Sequence, residues 1–474
     1  MRHHIYRCIF ILLTVTLVAS SPVAQDTKPD ATQERIRQLE EQVKLLKEQV
    51  EKLVGVSATA SQPKVENQTA VAKTAVEAKP VAEKKQPGIE IGSVRFVPYG
   101  TIFFNAFHNT SGTNNTDVPL FATTSGGANM SASVRQTRLG FRIEGARFGN
   151  ANVKAVAEAD FFGGFPAVGI GENFGVVRIR LANVRLDWEK TSLTVGQDWM
   201  VFAPVNPTSL AAAAIPQMAA AGNPWARIPQ IKAEHRFTNN FAVQAAVLAP
   251  QTGDSSTTAG FFMQPNSGAA SRVPYLQGRV AYSNGKWFGT KKAGSIGVSG
   301  HYGRSKVFTG TTLNIENDIE SNGIALDWNF PLANRVSFAG EAFAGRNLGG
   351  FQSGVFQSYN NDFAYRVGTN LIAGGVRSIA TRGGWAQLGI TPKVSRDRLS
   401  LYASIGIDDP RDADLVTRTP RDLRRQNFVY AFDAIFKLTP QFQIGAEYRQ
   451  MTTLYTLGGR RYAGHIDLGA AYTF

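Results

Sequence analysis

Two kinds of residue in this chain could do chemistry: scattered groups that could catalyse or bind metal, and charges spaced two residues apart that could line water. The first kind is poorly placed. The histidines stand at positions 3, 4, 108, 235, 301 and 465 with no ligand spacing, and the single cysteine, Cys8, lies near the N-terminus. Neither a zinc set nor thiol chemistry is indicated, and no cofactor or metal is expected. Gly169-Ile170-Gly171-Glu172-Asn173-Phe174-Gly175 has the glycines of a phosphate loop without its spacing or its strand–helix context. A hydrolase would need a positioned serine–histidine–acid set. None stands out, and the chain is read as a non-enzyme.

The second kind is well placed. In Arg138-Leu139-Gly140-Phe141-Arg142-Ile143-Glu144, the charges Arg138, Arg142 and Glu144 share one face, and Leu139, Phe141 and Ile143 share the other. The run Val153 to Phe161 repeats the arrangement with Lys154, Glu158 and Asp160. Arg185, Lys232, Arg279 and Arg449 occupy the wet faces of later runs, mixed with Asp187, Asp198, Glu234, Asp327, Glu341, Asp433, Glu447 and Asp467. Charges facing an aqueous passage set which ions it admits.

The elements that must carry these charges are strands. The last ten residues, His465 to Phe474, alternate apolar Ile466, Leu468, Ala470, Tyr472 and Phe474 with small or polar neighbours. Ten residues is the length at which a tilted strand crosses a bilayer, and the terminal aromatics suit a girdle at the membrane interface. The same signature recurs from Val94 onward, giving about sixteen strands. Short turns (Ala146–Asn150, Lys190–Thr191, Thr238–Asn240, Pro331–Arg335, Thr439–Gln441) alternate with long links. The long links are expected near residues 108–133, 162–177, 200–227, 250–273, 304–321, 346–382, 408–426 and 451–464. Short turns on one side and long loops on the other, with both chain ends on the short side, is the plan of an outer-membrane barrel. A β-sandwich would not confine its long loops to one end. Mean hydropathy, −0.15, does not decide between the two, because only every second strand residue of a barrel faces lipid.

The N-terminal part reads differently. Residues 1–25 have a basic start, the apolar core Cys8 to Val15 and a small-residue end, the pattern of a secretory signal peptide with an ambiguous cleavage site. Cys8 would leave with it. Residues 26–56 hold three heptads with Ile36, Val43 and Val50 at a and Leu39, Leu46 and Leu53 at d. This predicts a short parallel coiled coil in the periplasm, about 30 Å long, or failing that a single amphipathic helix. Residues 57–92, rich in Ala, Val, Lys, Glu and Pro, are read as a flexible linker, and residues 93–474 as the barrel. The fold class is thus all-β: an antiparallel transmembrane β-barrel preceded by a short α-helical coiled coil.

The motifs Arg138-Leu139-Gly140-Phe141, Glu158-Ala159-Asp160-Phe161-Phe162-Gly163, Arg178-Ile179-Arg180-Leu181-Ala182 and Val195-Gly196-Gln197-Asp198-Trp199 resemble the opening strands of DcaP-like porins. The whole plan of signal peptide, coiled coil, linker and barrel ending in Phe resembles that family too. The motifs cover residues 134–202; the later strands match in pattern only. The resemblance implies a homotrimer and a preference for small anionic solutes such as dicarboxylates, although β-branched a and leucine d positions nominally favour two helices.

A barrel of this size leaves an aqueous channel. The third long loop, Met200 to Arg227, is rich in alanine, apolar residues and proline, so it needs a surface to lie on. It is expected to fold inward and narrow the channel, with Arg227 and the wall charges forming a ring; the alternatives are a place over the mouth or against a neighbouring subunit. Thirteen of 50 Lys+Arg and eleven of 36 Asp+Glu precede residue 91, leaving the barrel with a net charge of +12. That favours anions, with Arg138, Arg142, Arg185 and Arg227 contributing most. Part of the excess, Arg411, Arg418, Arg421, Arg424 and Arg425, sits in a loop that could meet lipopolysaccharide phosphates. No nucleic-acid module is present. The expected function is passive diffusion of small hydrophilic solutes across the outer membrane of a Gram-negative-type cell. The competing reading is a plugged structural barrel tethering the membrane through its coiled coil.

Overall fold

The computed structural model describes residues 88–164, 175–252, 265–309 and 315–474, together with Glu41 and Lys44, both helical and exposed. The signal peptide and the coiled-coil core at Ile36, Leu39, Val43, Leu46, Val50 and Leu53 lie outside the described residues, as does most of the 57–92 linker. Among the described residues no helix is long and apolar enough to cross a membrane.

The strands are β1 (Ile89–Ile91), β2 (Val94–Asn109), β3 (Asn129–Ser133), β4 (Arg138–Phe148), β5 (Ala151–Asp160), β6 (Arg178–Asp187), β7 (Thr191–Trp199), β8 (Arg227–Arg236), β9 (Phe241–Leu248), β10 (Tyr275–Asn284), β11 (Gly294–Thr309) and β12 (Ile315–Ala333). They continue with β13 (Val336–Arg346), β14 (Tyr359–Val367), β15 (Asn370–Ser378), β16 (Ala380–Ile390), β17 (Leu399–Pro410), β18 (Arg424–Lys437), β19 (Phe442–Tyr455) and β20 (Arg460–Thr473). Each wall strand pairs antiparallel with the next, and β20 pairs with β2 from Thr101 opposite Thr473 to Asn109 opposite His465. Gly100 and the terminal residue Phe474 exchange backbone hydrogen bonds of 3.1 Å across that seam. β3 and β4 pair with the upper and lower halves of β2 and count as one interrupted wall strand. Among the described residues the result is a closed antiparallel barrel of sixteen strands. Closure leaves no free edge, the condition for a sheet in lipid.

The alternation read from the sequence sets which side of the wall each residue faces. Ile102, Leu139, Ile179, Val195, Ile231, Val280, Ile324, Ile405, Phe432 and Leu468 stand exposed on the outer surface. Trp188, Phe237, Phe241, Tyr282, Phe288 and Tyr472 are exposed near the short turns. Such an oily exterior with aromatic rims suits lipid, not water.

Two expected long links differ. β11 runs on to Thr309, β12 starts at Ile315, and only residues 456–459 separate β19 from β20. The extensions carry Lys306, Glu316, Asp318 and Glu320, because a strand clear of lipid has no need of an apolar outer face. The 346–382 link contains a separate hairpin, β14–β15. Ile89–Ile91, in the expected linker, turns back on Val94–Phe96 through Gly92 at φ +63°.

Candidate functional site

The wall from β4 to β8 carries a connected set of charges. The register places Arg138 opposite Asp160 and Asp160 opposite Arg178. Arg180 sits where the β5–β6 ladder shifts register between Glu158 and Ala159, an irregularity that re-aims side chains. Its guanidinium spans Glu158 and Asp160, both at 2.7 Å. Arg178 joins Asp160 at 2.6 Å, Arg138 lies 3.7 Å from Glu158, and the Tyr99 hydroxyl donates to Glu158 at 3.1 Å. Lower down, Lys154 and Arg185 share Asp187 at 3.2 and 2.6 Å and Arg142 lies 3.8 Å from Glu144; toward the long-loop end of β7, Asp198 receives Lys232 at 2.6 Å. The charge-assisted bonds of 2.6–2.7 Å among these fix side-chain positions firmly.

The opposite wall is acidic and covered. Residues 200–226 run across it, and their backbone amides are bound by side chains of strand after strand. Val201 and Phe202 donate to Gln277 Oε1 at 2.9 and 3.0 Å, Ala203 donates to Ser299 Oγ at 3.1 Å, and Val205 donates to Glu341 Oε1 at 2.6 Å. Gln387 both accepts from Thr208 N (2.9 Å) and donates to Thr208 O (2.8 Å). Ser209 donates to Glu447, and the Gln217 amide reaches Asp433 and Glu447. On the near side, Gln136 donates to Ala211 O at 2.8 Å and accepts from Ala213 N and Ala214 N, both at 2.9 Å. A buried segment without regular structure needs every backbone group paired, and these wall side chains supply the partners. Apolar clusters join the same segment to residues 118–121, to Val355 and to Trp385. At Ala221–Gly222 it lies flush on the wall: a Cβ on Gly222 (φ +103°) would fall 2.1 Å from Gly384 O, and one on Gly406 2.1 Å from Ala221 O.

Exposure divides the two walls. Asp327, Glu341, Asp433, Glu447 and Asp467 are 0–4% exposed. The side chains of Arg138, Arg142, Arg185 and Lys154 are 22, 37, 33 and 52% exposed.

The expected site residues therefore separate into groups. Arg138, Arg142, Lys154, Arg185, Lys232, Glu158 and Asp160 come together on the β4–β8 wall. Arg279 is locked to Asp327 by two bonds of 2.9 and 2.6 Å, and Arg449 to Glu447 by bonds of 2.9 and 2.5 Å with a third to Pro119 O; all four residues are buried. Arg227 is held by aromatic faces: its guanidinium carbon lies 4.3 Å from the Trp199 ring centroid and 5.1 Å from that of Trp225. Its Nε and Nη2 are buried without a hydrogen-bond partner. The sequence reading did not single out Arg178, Arg180 or the clamps Gln136, Gln277 and Gln387. Arg178 and Arg180 alternate with Ile179 and were legible; a lone glutamine at an inward position gives no local sign of what it binds.

No protein-family model matches the chain, and no curated protein matches it in sequence. Solved structures do match. The outer-membrane channel DcaP of Acinetobacter baumannii superposes with a TM-score of 0.61 at 17% identity, over 82% of this chain and 100% of that one. An anion-selective porin from Comamonas acidovorans gives 0.48 at 13% identity over 80% and 100%, and Pseudomonas putida OprB 0.49 at 10% over 80% and 94%. With sixteen strands closed first to last and full coverage of the channel it matches best of these three, the chain adopts the barrel fold of the outer-membrane channel DcaP.

Proposed function

We propose that the chain is an outer-membrane porin giving passive, anion-preferring diffusion of small hydrophilic solutes, dicarboxylates among them, and that residues 200–226 narrow its water-filled channel. The observation that carries the preference is the unequal exposure of the two walls. The acidic wall is turned away from the water: Glu341, Asp433 and Glu447 bind the loop, Asp327 and Glu447 pair with Arg279 and Arg449, and Asp467 accepts from Asn105, so its carboxylates are covered. Water in the channel meets Arg138, Arg142, Lys154 and Arg185, with Arg227 held between two tryptophans at the upper end. A lumen lined by one sign of charge concentrates the opposite ion. The acidic partners on the basic wall moderate the effect, so a preference is expected and not an exclusion of cations. Arg138, Arg142, Arg185 and Arg227 contribute most in this reading, whereas Arg279 and Arg449 hold the far wall together. The homotrimer and the periplasmic coiled coil belong to the same proposal and rest on the family resemblance and on the heptads.

Single-channel recording of the purified protein in planar bilayers under a KCl gradient tests it. Steps in groups of three with a reversal potential of anion-selective sign are expected. Equal permeability to K+ and Cl− would remove the anion preference. Stable insertion with no conductance would mean that the loop plugs the barrel, and the tethering function would take the place of transport.

A further inference from the structure

On the outer surface, at the end of the barrel opposite the chain termini, the registers align one residue from each of five neighbouring strands. Arg382 on β16 stands opposite Asp409 on β17; Gln426 on β18 stands opposite Leu454 on β19, which stands opposite Arg460 on β20. Asp408 opposite Asn427 sets Asp409 and Gln426 side by side. At about 4.8 Å between strands, the row spans roughly 19 Å. Asp409 accepts from Arg382 at 3.2 Å and from Gln426 at 3.0 Å. Arg425, at a shift in the β18–β19 register, adds a guanidinium beside the row and is paired with Asp412. Arg460 is exposed and makes no ion pair among the described residues.

Two residues down each strand the outer face becomes apolar or aromatic. Below Asp409 is Ile407, below Gln426 come Phe428, Tyr430 and Phe432, with the Tyr430 ring in contact with each of the other two, and below Arg460 is Tyr462. Exposed pairs of this kind contribute little to stability; the Arg382 side chain is 80% exposed, so folding does not account for the row. Its place does: it lies where the oily band ends, the depth of lipid headgroups.

We propose that Arg382, Arg425 and Arg460 form a docking site for a phosphate-bearing lipid of the leaflet on the long-loop side, its phosphates on the guanidiniums and its acyl chains along the Phe428–Tyr430–Phe432 column. Arginine suits this partner because its fork binds phosphate oxygens two at a time. The site faces away from the lumen, so it is separate from solute passage; it rests on the reading of the barrel as membrane-embedded.

The test uses the full chain in detergent micelles, titrated with diphosphorylated lipid A and with dephosphorylated lipid A, and read by native mass spectrometry. The wild type should bind the phosphorylated form preferentially, with affinity falling as salt is raised. Each arginine near a charged lipid surface is worth about fivefold, so R382Q/R425Q/R460Q should weaken binding roughly a hundredfold and Arg460→Gln alone about fivefold. Equal binding by the triple variant, or equal binding of both lipids by the wild type, would overturn the proposal. Conductance in planar bilayers is the independent readout. Both proteins should conduct alike, and a wild type that binds lipid without conducting would sink the channel reading while leaving this site standing.

Discussion

Replacing Gln136 by Leu tests how the inner loop is held. Gln136 lies in the break between β3 and β4, where the wall strand departs from regular pairing and turns two successive side chains, Arg135 and Gln136, away from the surface. Its amide makes three hydrogen bonds of 2.8–2.9 Å to the backbone of Ala211, Ala213 and Ala214. Leucine keeps the volume and removes all three partners. A buried backbone group left unpaired costs about 1–3 kcal/mol, so even the lower figure gives about 3 kcal/mol against the seated position of this segment. At 1.4 kcal/mol per tenfold, the ratio of seated to displaced loop falls roughly a hundredfold. The barrel pairs through other residues and should still fold, as heat-modifiable migration on gels would verify. In planar bilayers the variant should show raised open-channel noise and excursions to higher conductance; Gln136→Glu, which keeps the acceptor for both amides but loses the donor to Ala211 O, should fall between the two. A folded Gln136→Leu channel with wild-type conductance and noise would refute the idea that these bonds hold a constriction.

Arg227→Leu should shift the reversal potential toward zero, with a roughly fivefold drop in anion over cation permeability for a charge near the solute path, while the barrel remains folded. Gly222→Val should displace the loop more severely, since the residue at φ +103° has Gly384 O within 2.1 Å of any Cβ; limited proteolysis at residues 200–226 should rise, and unchanged protection would count against the flush fit. A third expectation concerns pH. Hydrogen bonds from Thr419 hold the Asp362 carboxyl below the ordinary carboxylate range, and one from Arg425 does the same for Asp412. A depressed carboxylate stabilises above its unfolded pKa of about 4 and loses that contribution as pH falls through the folded value. Hydrogen-exchange protection in residues 411–423, taken relative to the intrinsic exchange rate at each pH, should therefore fall from pH 7 to pH 3, and an unchanged protection factor would contradict this.

The sequence made the wall legible because period two is imposed twice, by lipid outside and by water inside. Ile179, Val195, Ile231 and Leu468 face out as their runs require. Where only one constraint acts, the signal weakens. The upper parts of β11 and β12 put Arg304, Lys306, Glu316, Asp318 and Glu320 on the outer face where the lower strands carry apolar residues, which hides them as strands, and the β14–β15 hairpin carries two adjacent exposed residues, Leu371 and Ile372, that break alternation. Among the candidate site residues, Arg138 and Asp160 are brought together by a register that follows from two adjacent alternating runs. That Arg279 is sealed against Asp327 follows from pairings through β11, a strand lying between them. No local pattern distinguishes Arg279 from Arg142. The same holds for the glutamine clamps, whose partners lie 75 to 179 residues away.

The seat of the 200–226 segment has a consequence for how the molecule is made. Its hydrogen bonds run to residues far ahead in the chain, 136 positions for Val205 with Glu341, 179 for Thr208 with Gln387 and 238 for Ser209 with Glu447. When the segment emerges, the surface it will occupy has not yet been assembled, and once β20 has met β2 the interior is enclosed. Contacts so distant in sequence form slowly, because loop closure must precede any gain from them. The alanine-rich segment must therefore be gathered in as the later strands come into place, so the final zipping of the seam and the furnishing of the interior are one kinetic event. A chain truncated before β18 would lack Asp433 and Glu447, and would leave the Ser209–Gln217 part of the loop without those partners, which makes the incomplete chain the aggregation-prone species in biogenesis.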